Sequence, residues 1–394
     1  MKTTNFNELI KYSQVHCPCC NKSTICIADL PKYPLTEFFR DLKDTQNPYG
    51  HIDQEIRFCT DCNHMFLRHV MDANQIYRND NYITSSILSR GAVVCIENFV
   101  NFIKKSIADL SQYTIIDIGG NDSTLLEYFL TKCKKLINID PNASTSNQAI
   151  EIHKSFLEEI DFTALKDGQS KIFVSSHTIE HLEDPAKLLR SLSLIVTNND
   201  YLYLQFPSLE LLIEQKRFDQ ICHQHINYFS LNSIMKIMEQ VGLQVNDYEF
   251  DSSHFGTLRV LVTRRKTNDI QSLQFTDTSI SDSYCSFRRY CEQYNHLMKD
   301  FLYQRQGFGA GLMVPTLAYY LPLINNLSKI VDDNPMRIGK RYISLIPPIV
   351  GMDELDVDKP VLITSISTKI AARAIFTKLV SLGVNDICLP TMVT

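Results

Sequence analysis

The chain has 394 residues, of which 44% are hydrophobic and 21% are charged, and its formal net charge at pH 7 is -5. This length exceeds what one compact core usually supports, so we expect two or three domains. The acidic balance argues against a general nucleic-acid binder, which normally carries a basic excess or stripe. With neither an apolar leader at its start nor an apolar run of about 18 residues, the sequence predicts a cytoplasmic protein without membrane contact.

Two closely spaced cysteine pairs lie in the first 75 residues, at Cys17–Cys20 and Cys59–Cys62. Each presents two thiolates on one tight turn, and two such turns complete the tetrahedral set that Zn²⁺ prefers. We therefore predict a zinc-binding N-terminal domain over residues 1–75, in which a structural Zn²⁺ is held by Cys17, Cys20, Cys59 and Cys62. Alternative ligands in the same segment are Cys19 and His64. The other cysteines lie apart from these pairs, several singly in apolar segments, as is typical of a reducing compartment.

From about residue 76 the hydrophobic pattern is helical up to Ile107, and short apolar runs then alternate with helical stretches. This alternation predicts parallel βαβ units. The predicted strands are Ile115–Ile118, Leu136–Ile139, Lys171–Ser175, Tyr201–Phe206 and, closing the sheet, Leu258–Val262. We expect a central Rossmann-like α/β domain over residues 76–268.

The polar stretch from Lys266 to Asp282 predicts a domain boundary, and a long helix is expected from about Tyr284 to Leu302. A smaller α/β unit should follow, beginning with the glycine-rich segment Gly307–Gly311. Its predicted strands are Lys329–Asp332 and Val361–Ser365, before a helix to Leu382. The sequence thus predicts a C-terminal Rossmann-like domain over residues 269–394.

The first strand of the central domain leads into the loop Ile-Gly119-Gly120-Asn121-Asp122. Backbone amides at a strand-to-helix turn favour an anionic group, and a carboxylate after the next strand suits ribose hydroxyls. The loop lacks the GxGxxG pattern of nicotinamide folds, and an acidic residue before the glycines suits the ammonium group of S-adenosylmethionine (SAM). An ordinary strand-to-helix turn is the alternative. The predicted SAM-binding residues are Asp117, Gly119, Gly120, Asn121, Asp122, Asp140 and His177.

Two histidine-bearing segments, His177–Pro185 and Cys222–Ser230, follow the third and fourth predicted strands. Open α/β sheets bind their ligands at this edge, so at least one of these histidines is expected to be catalytic. An isolated histidine is more often structural. A pair such as His223 and His225 also suits a metal, but no third ligand is evident beside it in the sequence.

Together these motifs resemble the three-domain sugar C-methyltransferases that make branched deoxysugars. The similarity extends over nearly the whole length. It includes the cysteine pairs, the Asp-Ile-Gly-x-Asn-Asp loop, Glu180-His181, the His-x-His-x-x-Tyr-Phe-Ser segment, and a Gly-Phe-Gly-Ala unit followed by Asp-Asp-Asn-Pro. The resemblance implies a class I methyltransferase domain over residues 76–268, a structural zinc, SAM, and a nucleotide-linked keto-sugar held between the terminal domains. We expect a monomer or homodimer.

The resemblance also implies a chemistry for the histidines. A base removes a proton beside the ketone, and the resulting enolate attacks the SAM methyl group. In the family that base is the last histidine of a Tyr-His-Glu-His run, which aligns with His225, while His181 would contact the sugar or enolate oxygen. The catalytic candidates are His225, His181, His223, Gln224 and Tyr82.

The chain departs from the family at three places. Cys222 and Gln224 replace a tyrosine and a glutamate, and a neutral amide cannot raise the pKa of an adjacent imidazole as a carboxylate can. The segment Ala310–Pro315 lacks the usual lysine, which would suit a phosphate, and Ser344–Pro348 replaces a Leu-Pro-Gly segment. The alternatives are an O- or N-methyltransferase, a NAD-dependent oxidoreductase using Gly307–Gly311, or a catalytically silent zinc-bearing interaction protein.

Overall fold

The computed structural model describes residues 6–72, 75–76, 90–252, 256–264, 270–271, 274–366 and 369–390. The predicted site residue Tyr82 lies outside these ranges. Within them, no helix combines the length and the apolar character that crossing a lipid bilayer requires.

The N-terminal segment is built from antiparallel strands rather than from the loops that its sequence suggests. Its strands are β1 (Ile10–Ser13), β2 (Ile25–Pro34), β3 (Phe39–Asp41), β4 (His51–Cys59), β5 (His64–Leu67) and β6 (His69–Met71). β2, β4 and β5 form one sheet, and β1 pairs with β6. The second cysteine pair occupies the connection between β4 and β5, so the sheet fixes the position of these thiols.

A seven-stranded sheet forms the centre of the molecule. Its segment contains β7 (Thr114–Ile118), β8 (Lys135–Ile139), β9 (Ile150–His153), β10 (Lys171–Ser176), β11 (Tyr201–Pro207), β12 (Asn227–Tyr228), β13 (Gln244–Asp251) and β14 (Thr257–Thr263). The helices are α1 (Arg90–Ser106), α2 (Thr124–Glu127), α3 (Pro185–Ser193), α4 (Leu209–Glu214) and α5 (Leu231–Gln240). The strand order is β13-β14-β11-β10-β7-β8-β9, and β14 alone in this sheet runs antiparallel to the other strands.

All five predicted strands of the central sheet are confirmed. They are easily recognised because parallel strands covered on both faces read as continuous apolar runs, and every residue of β7 is buried. The prediction missed β9 and β13, whose sequences mix exposed polar residues with apolar ones.

The C-terminal segment contains a second, smaller parallel sheet. Its elements are α6 (Asp277–Met298), β15 (Gln306–Phe308), α7 (Val314–Tyr320), β16 (Lys329–Val331), β17 (Lys340–Tyr342), β18 (Ile349–Val350), β19 (Val361–Ile363), α8 (Lys369–Ser381) and β20 (Ile387–Cys388). The strand order is β18-β16-β15-β19-β20, which is the order of a Rossmann-like half. The long helix α6 starts earlier than predicted because Thr276 and Ser279 form a capping box, with both hydrogen bonds at 3.1 Å.

Strand pairing joins the three segments to one another. Tyr228 of β12 pairs with Met65 of β5, and Tyr342 of β17 pairs with Phe39 of β3. One hydrophobic core also collects buried side chains from all three segments. The division into residues 1–75, 76–268 and 269–394 therefore stays a prediction, since these contacts cross both boundaries.

A buried ion pair strengthens the junction between the central and C-terminal segments. Arg217 donates from Nε and Nη2 to the two carboxylate oxygens of Asp219, each at 2.8 Å, and Nη2 also donates to the carbonyl of Ile366. The carbonyl of Asp219 accepts a hydrogen bond from Thr316 at 2.6 Å. Both charged side chains are almost wholly inaccessible to solvent.

We expect Asp219→Ala to lower the free energy of unfolding by about 3–5 kcal/mol, because it leaves the buried Arg217 charge without this counterion. The control is Glu292→Ala, which removes an exposed partner of Arg288 on α6 and should cost about 0–1 kcal/mol. Denaturant unfolding of both variants is the measurement. Equal losses of unfolding free energy in the two variants would contradict a larger contribution from the buried pair.

Candidate functional site

The loop after β7 depends on two glycines. Gly119 has φ = +81°, and a Cβ atom there would overlap the side chain of Thr178. A Cβ on Gly120 would lie 2.8 Å from the Asp117 carboxylate and 2.5 Å from the side-chain oxygen of Asn138. The absence of side chains therefore lets the loop pack between β8 and the segment after β10.

An amide in the neighbouring strand holds this loop in place. Nδ2 of Asn138 in β8 donates to the carbonyl of Asn121 at 3.1 Å and to Oγ of Ser123 at 2.7 Å. Asn121 and Ser123 both have positive φ, a conformation that needs such support outside glycine. Sequence reasoning missed Asn138, although a lone amide within an otherwise apolar strand was a usable signal.

Three carboxyl groups surround the loop. Asp117 is buried, and its Oδ1 has no hydrogen-bond partner among the described residues. Burial, together with the nearby Asp140 and Asp122, raises the pKa of Asp117 to about 8. Asp140 accepts a hydrogen bond from the amide of Asn142 at 2.7 Å, and its burial raises its pKa as well. Such a region stabilises a cation, so its electrostatics suit the positively charged part of SAM.

The chain leaves β10 through a turn that carries His177, Glu180 and His181. Nδ1 of His177 lies 3.2 Å from Oε1 of Glu180, and its Nε2 lies 3.7 Å from Sγ of Cys95 in α1. Burial alone would lower the pKa of His177, but Cys95 and Glu180 outweigh it and raise that pKa to about 10. His177 is thus a charged group held by protein partners; its predicted part in cofactor binding stays a prediction.

His181 lies on the turn after β10, whereas His225 lies just before β12 and is separated from the end of β11 by α4. Their rings are 4.7 Å apart and nearly perpendicular, and Nδ1 of His181 donates to the carbonyl of Gln224 at 3.0 Å. Burial lowers the pKa of both, that of His225 to about 3 with a further contribution from His181. Both imidazoles are therefore neutral near pH 7, which is the state that a proton acceptor requires.

His225 lines a small, partly open cleft. The other lining residues are Pro207, Ser208, Leu212, Gln220, Tyr228 and Met313. Met313 comes from the C-terminal segment, immediately before α7. The cleft therefore lies where the central and C-terminal segments meet, and its lining is largely apolar.

The other two residues of the histidine segment are engaged with the N-terminal segment. Gln224 accepts a hydrogen bond from Oγ1 of Thr36 at 2.9 Å and donates to the Thr36 carbonyl at 3.1 Å. Nε2 of His223 lies 3.2 Å from the carbonyl of Tyr33, and Nδ1 lies 3.3 Å from Nε2 of Gln54. These contacts favour a structural role for His223. They also mean that Gln224 orients His181 through its backbone, whereas its side chain is bound to Thr36.

The four predicted thiol ligands lie together. The sulfur of Cys17 is 3.5 Å from that of Cys62, and the sulfur of Cys20 is 3.5 Å from that of Cys59. All four sulfurs lie within 4.8 Å of one another. The donor set fits Zn²⁺, since sulfurs about 2.3 Å from a tetrahedral ion are about 3.8 Å apart.

Both cysteine pairs use the same turn. The amide of Asn21 donates to the carbonyl of Cys17 at 2.8 Å, and the amide of Asn63 donates to that of Cys59 at 2.9 Å. Both asparagines have positive φ. The alternative ligand His64 instead directs Nε2 to Oδ1 of Asn227 at 3.1 Å, and neither it nor Cys19 belongs to the four-sulfur group.

The glycine-rich loop after β15 is occupied by its own neighbours. The amide of Ala310 donates to Oδ2 of Asp332 at 2.5 Å, and Asp332 accepts a second hydrogen bond from Asn334 at 2.8 Å. A Cβ on Gly309 would lie 2.5 Å from the Cβ of Ser365. An amide that would bind a phosphate is thus already bonded to a carboxylate.

Residues 95–248 match a family described as a methyltransferase domain. With the parallel sheet and the acidic glycine loop, this match defines the central part of the chain as a SAM-dependent methyltransferase domain. The C-methyltransferase NovU of Streptomyces niveus is 24% identical over 213 residues, which are 52% of this chain and 50% of NovU. The chain thus spans about half the length of the curated relative it matches.

Two solved structures illustrate the structural similarity. A SAM-dependent methyltransferase from Aquifex aeolicus aligns with a TM-score of 0.32 and 15% identity, covering 42% of this chain and 88% of that one. Magnesium protoporphyrin IX methyltransferase (ChlM) from Synechocystis PCC 6803 with bound SAH aligns with a TM-score of 0.36 and 12% identity, covering 49% and 92%.

The raised pKa of Asp117 predicts a pH-dependent stability. The folded protein keeps this proton up to about pH 8, whereas the unfolded chain releases it near the ordinary value of 3.8. The contribution of Asp117 to stability therefore falls as pH rises from 3.8 to about 8. Asp117→Asn should remove this loss and raise the melting temperature at pH 8.5 by at least about 4 °C over wild type.

Thermal unfolding without ligand at pH 5 and pH 8.5 is the measurement for Asp117→Asn. The exposed Asp282 on α6 gives the control variant Asp282→Asn, which should follow wild type at both values. If the melting temperatures of Asp117→Asn and wild type differed by the same amount at both pH values, the raised pKa of Asp117 would be contradicted.

Proposed function

We propose that the protein is a SAM-dependent C-methyltransferase that methylates a carbon beside the ketone of a nucleotide-linked keto-sugar. The observation that carries this proposal is the neutral His225, which lines a cleft and packs against the ring of His181. NovU, a C-methyltransferase by name, supports carbon as the acceptor.

The turn after β10 links the cofactor loop to His225. Thr178 packs against Gly119 of the cofactor loop and begins the turn that carries His181. His181 in turn contacts the ring of His225. A substrate in the cleft would thus lie between a proton acceptor and the SAM methyl group, an arrangement that favours in-line transfer.

In this scheme SAM supplies the electrophilic methyl group, and the residues of the chain hold the reactants and move the proton. Asp117 would face the positive charge of SAM, and Asp140 its ribose. His225 would accept the proton from the substrate carbon. His181, whose Nδ1 proton is committed to Gln224, would present its other ring nitrogen toward the substrate oxygen.

Met313 favours a second candidate function. The family resemblance leads one to expect a lysine in this loop for a phosphate, but an apolar thioether lines the cleft instead. An O- or N-methyltransferase acting on a less highly charged polar metabolite would fit this lining. The bonded Ala310 amide, by contrast, gives no support to an NAD-dependent oxidoreductase.

The test of the proposal is labelled-methyl transfer from SAM to a panel of keto-sugar nucleotides, with His225→Asn as the diagnostic variant. The variant should lose about a hundredfold or more in turnover, because general-base catalysis contributes on that scale, with SAM affinity unchanged. His153→Asn, at an exposed position on β9, is the control and should retain full activity. Full activity in His225→Asn would indicate direct transfer to oxygen or nitrogen.

We also propose that Cys17, Cys20, Cys59 and Cys62 hold one structural Zn²⁺. Cys59→Ser should lose the metal and lower the unfolding temperature, because zinc affinity is also folding free energy. The exposed Cys285 on α6 offers a matched control, since Cys285→Ser should keep both the metal and the stability. The zinc content of protein prepared without chelators is measured by mass spectrometry. A zinc-free wild-type protein would disprove the proposal.

A further inference from the structure

We propose that Glu180 is a positioning residue that supports His225 as the proton acceptor, in place of the carboxylate that the sequence lacks at residue 224. The inference rests on the proposed function, because it assigns a role within proton removal from the substrate carbon.

The first support is the geometry around Glu180. One of its carboxylate oxygens, one ring nitrogen of His181 and one ring nitrogen of His225 lie within 4.8 Å of one another. Oε1 of Glu180 contacts Nδ1 of His177, while the buried Oε2 has no hydrogen-bond partner among the described residues. Oε2 is therefore an acceptor that is not committed to another group among the described residues and lies on the residue that approaches both imidazoles.

The second support is charge. Burial would raise the pKa of Glu180, but the contact with His177 outweighs it and lowers that pKa to about 2. Glu180 is therefore an anion with no exposure to solvent. The titratable groups around Glu180 and His225 are Cys95, His177, His181, Cys222 and Tyr228. Within this set Glu180 brings the negative charge that faces His225.

The third support is the position of Gln224. Its amide is bonded at both ends to Thr36, as donor and as acceptor. A glutamate side chain in that place could not donate to the Thr36 carbonyl and would repel it. The amide therefore serves the contact with the N-terminal segment, and the carboxylate comes from the turn after β10.

The proposed step is balanced as follows. The carbon–hydrogen bond beside the substrate ketone breaks, the proton moves to His225, and the electron pair remains as an enolate. Glu180 stabilises the resulting imidazolium, as a buried carboxylate does for the histidine of a serine protease triad. The enolate carbon then bonds to the methyl carbon as the methyl–sulfur bond breaks, and the sulfur keeps that electron pair.

The experiment compares Glu180→Gln, which keeps the shape and loses the charge, with Glu180→Asp, which keeps the charge and shortens the side chain. Two readouts are measured on the full chain: labelled-methyl transfer, and solvent-deuterium exchange into the keto-sugar nucleotide with S-adenosylhomocysteine present. We expect Glu180→Gln to lose tenfold to a hundredfold in both, with SAM affinity within twofold of wild type. Glu180→Asp should retain more activity than Glu180→Gln.

Two further variants serve as controls. Glu183→Gln changes a neighbouring carboxylate that pairs with Lys11, and it should alter neither rate by more than twofold. Adding Gln224→Glu to Glu180→Gln should restore neither methyl transfer nor deuterium exchange, because the side chain of residue 224 faces Thr36.

Each contrary outcome has a distinct meaning. Equal or greater activity in Glu180→Gln than in Glu180→Asp would assign Glu180 to packing and overturn the proposal. Loss of wild-type activity with a chelator, restored by a divalent cation without change in the thiol site, would make the Glu180, His181 and His225 group a metal centre and also overturn it. A wild-type protein that transfers methyl groups but exchanges no deuterium would overturn the proposed C-methylation itself, and this inference with it.

Discussion

A buried carboxylate on the turn after β10 is the feature around which the candidate site is arranged. Glu180 has no access to solvent, and its burial is tolerated because it is paired with His177. His177 is in turn bonded to Cys95, which brings α1 into the same network. An ion pair of this kind is weak evidence for stability, but it fixes the direction in which the turn leaves β10. The neighbouring imidazole of His181 is thereby aimed at His225.

The architecture around this centre follows from strand pairing between segments. The N-terminal segment contributes Thr36 and Tyr33 to the histidine segment, and the C-terminal segment contributes Met313 to the cleft. Because these contacts come from distant parts of the chain, the positions of the candidate histidines depend on all three segments and not on the central sheet alone. A substitution at either of these junctions is therefore expected to alter the geometry of the cleft.

The sequence predicted the parts of the fold that have a strong local signal. Continuous apolar runs revealed the parallel strands, and paired cysteines revealed a group of four sulfurs that the structure does bring together. Strands with mixed polarity, such as β9 and β13, gave no comparable signal, and the cap of α6 was hidden in a polar stretch. The secondary structure of those elements depends on their tertiary environment, and a local sequence pattern does not contain that information.

In the candidate site, too, features with a local sequence signal were predicted and features set by tertiary contacts were not. Adjacency to His225 placed Gln224 among the catalytic candidates, yet its side chain is bound to Thr36. The carboxylate near His225 comes instead from Glu180, 45 positions earlier and from another strand end. Sequence spacing could not show this, because the distance between two loops at the edge of a parallel sheet depends on strand order. The glycine loop was easier, since the constraint there is local: only glycine fits against Thr178 at φ = +81°.

A short path of hydrogen bonds connects the four-sulfur group to the candidate site. Asn63, directly after Cys62, accepts a hydrogen bond at its carbonyl from Ser230 at 2.7 Å. Ser230 caps α5 and ends the segment that contains His225. Asn227 of that segment contacts His64 at 3.1 Å and donates to the carbonyl of Leu182, next to His181, at 2.7 Å. The second cysteine turn thus holds the segment that carries His225, and Asn227 of this segment contacts the turn that carries His181. A metal with no open coordination position would in this way act on catalysis through geometry alone.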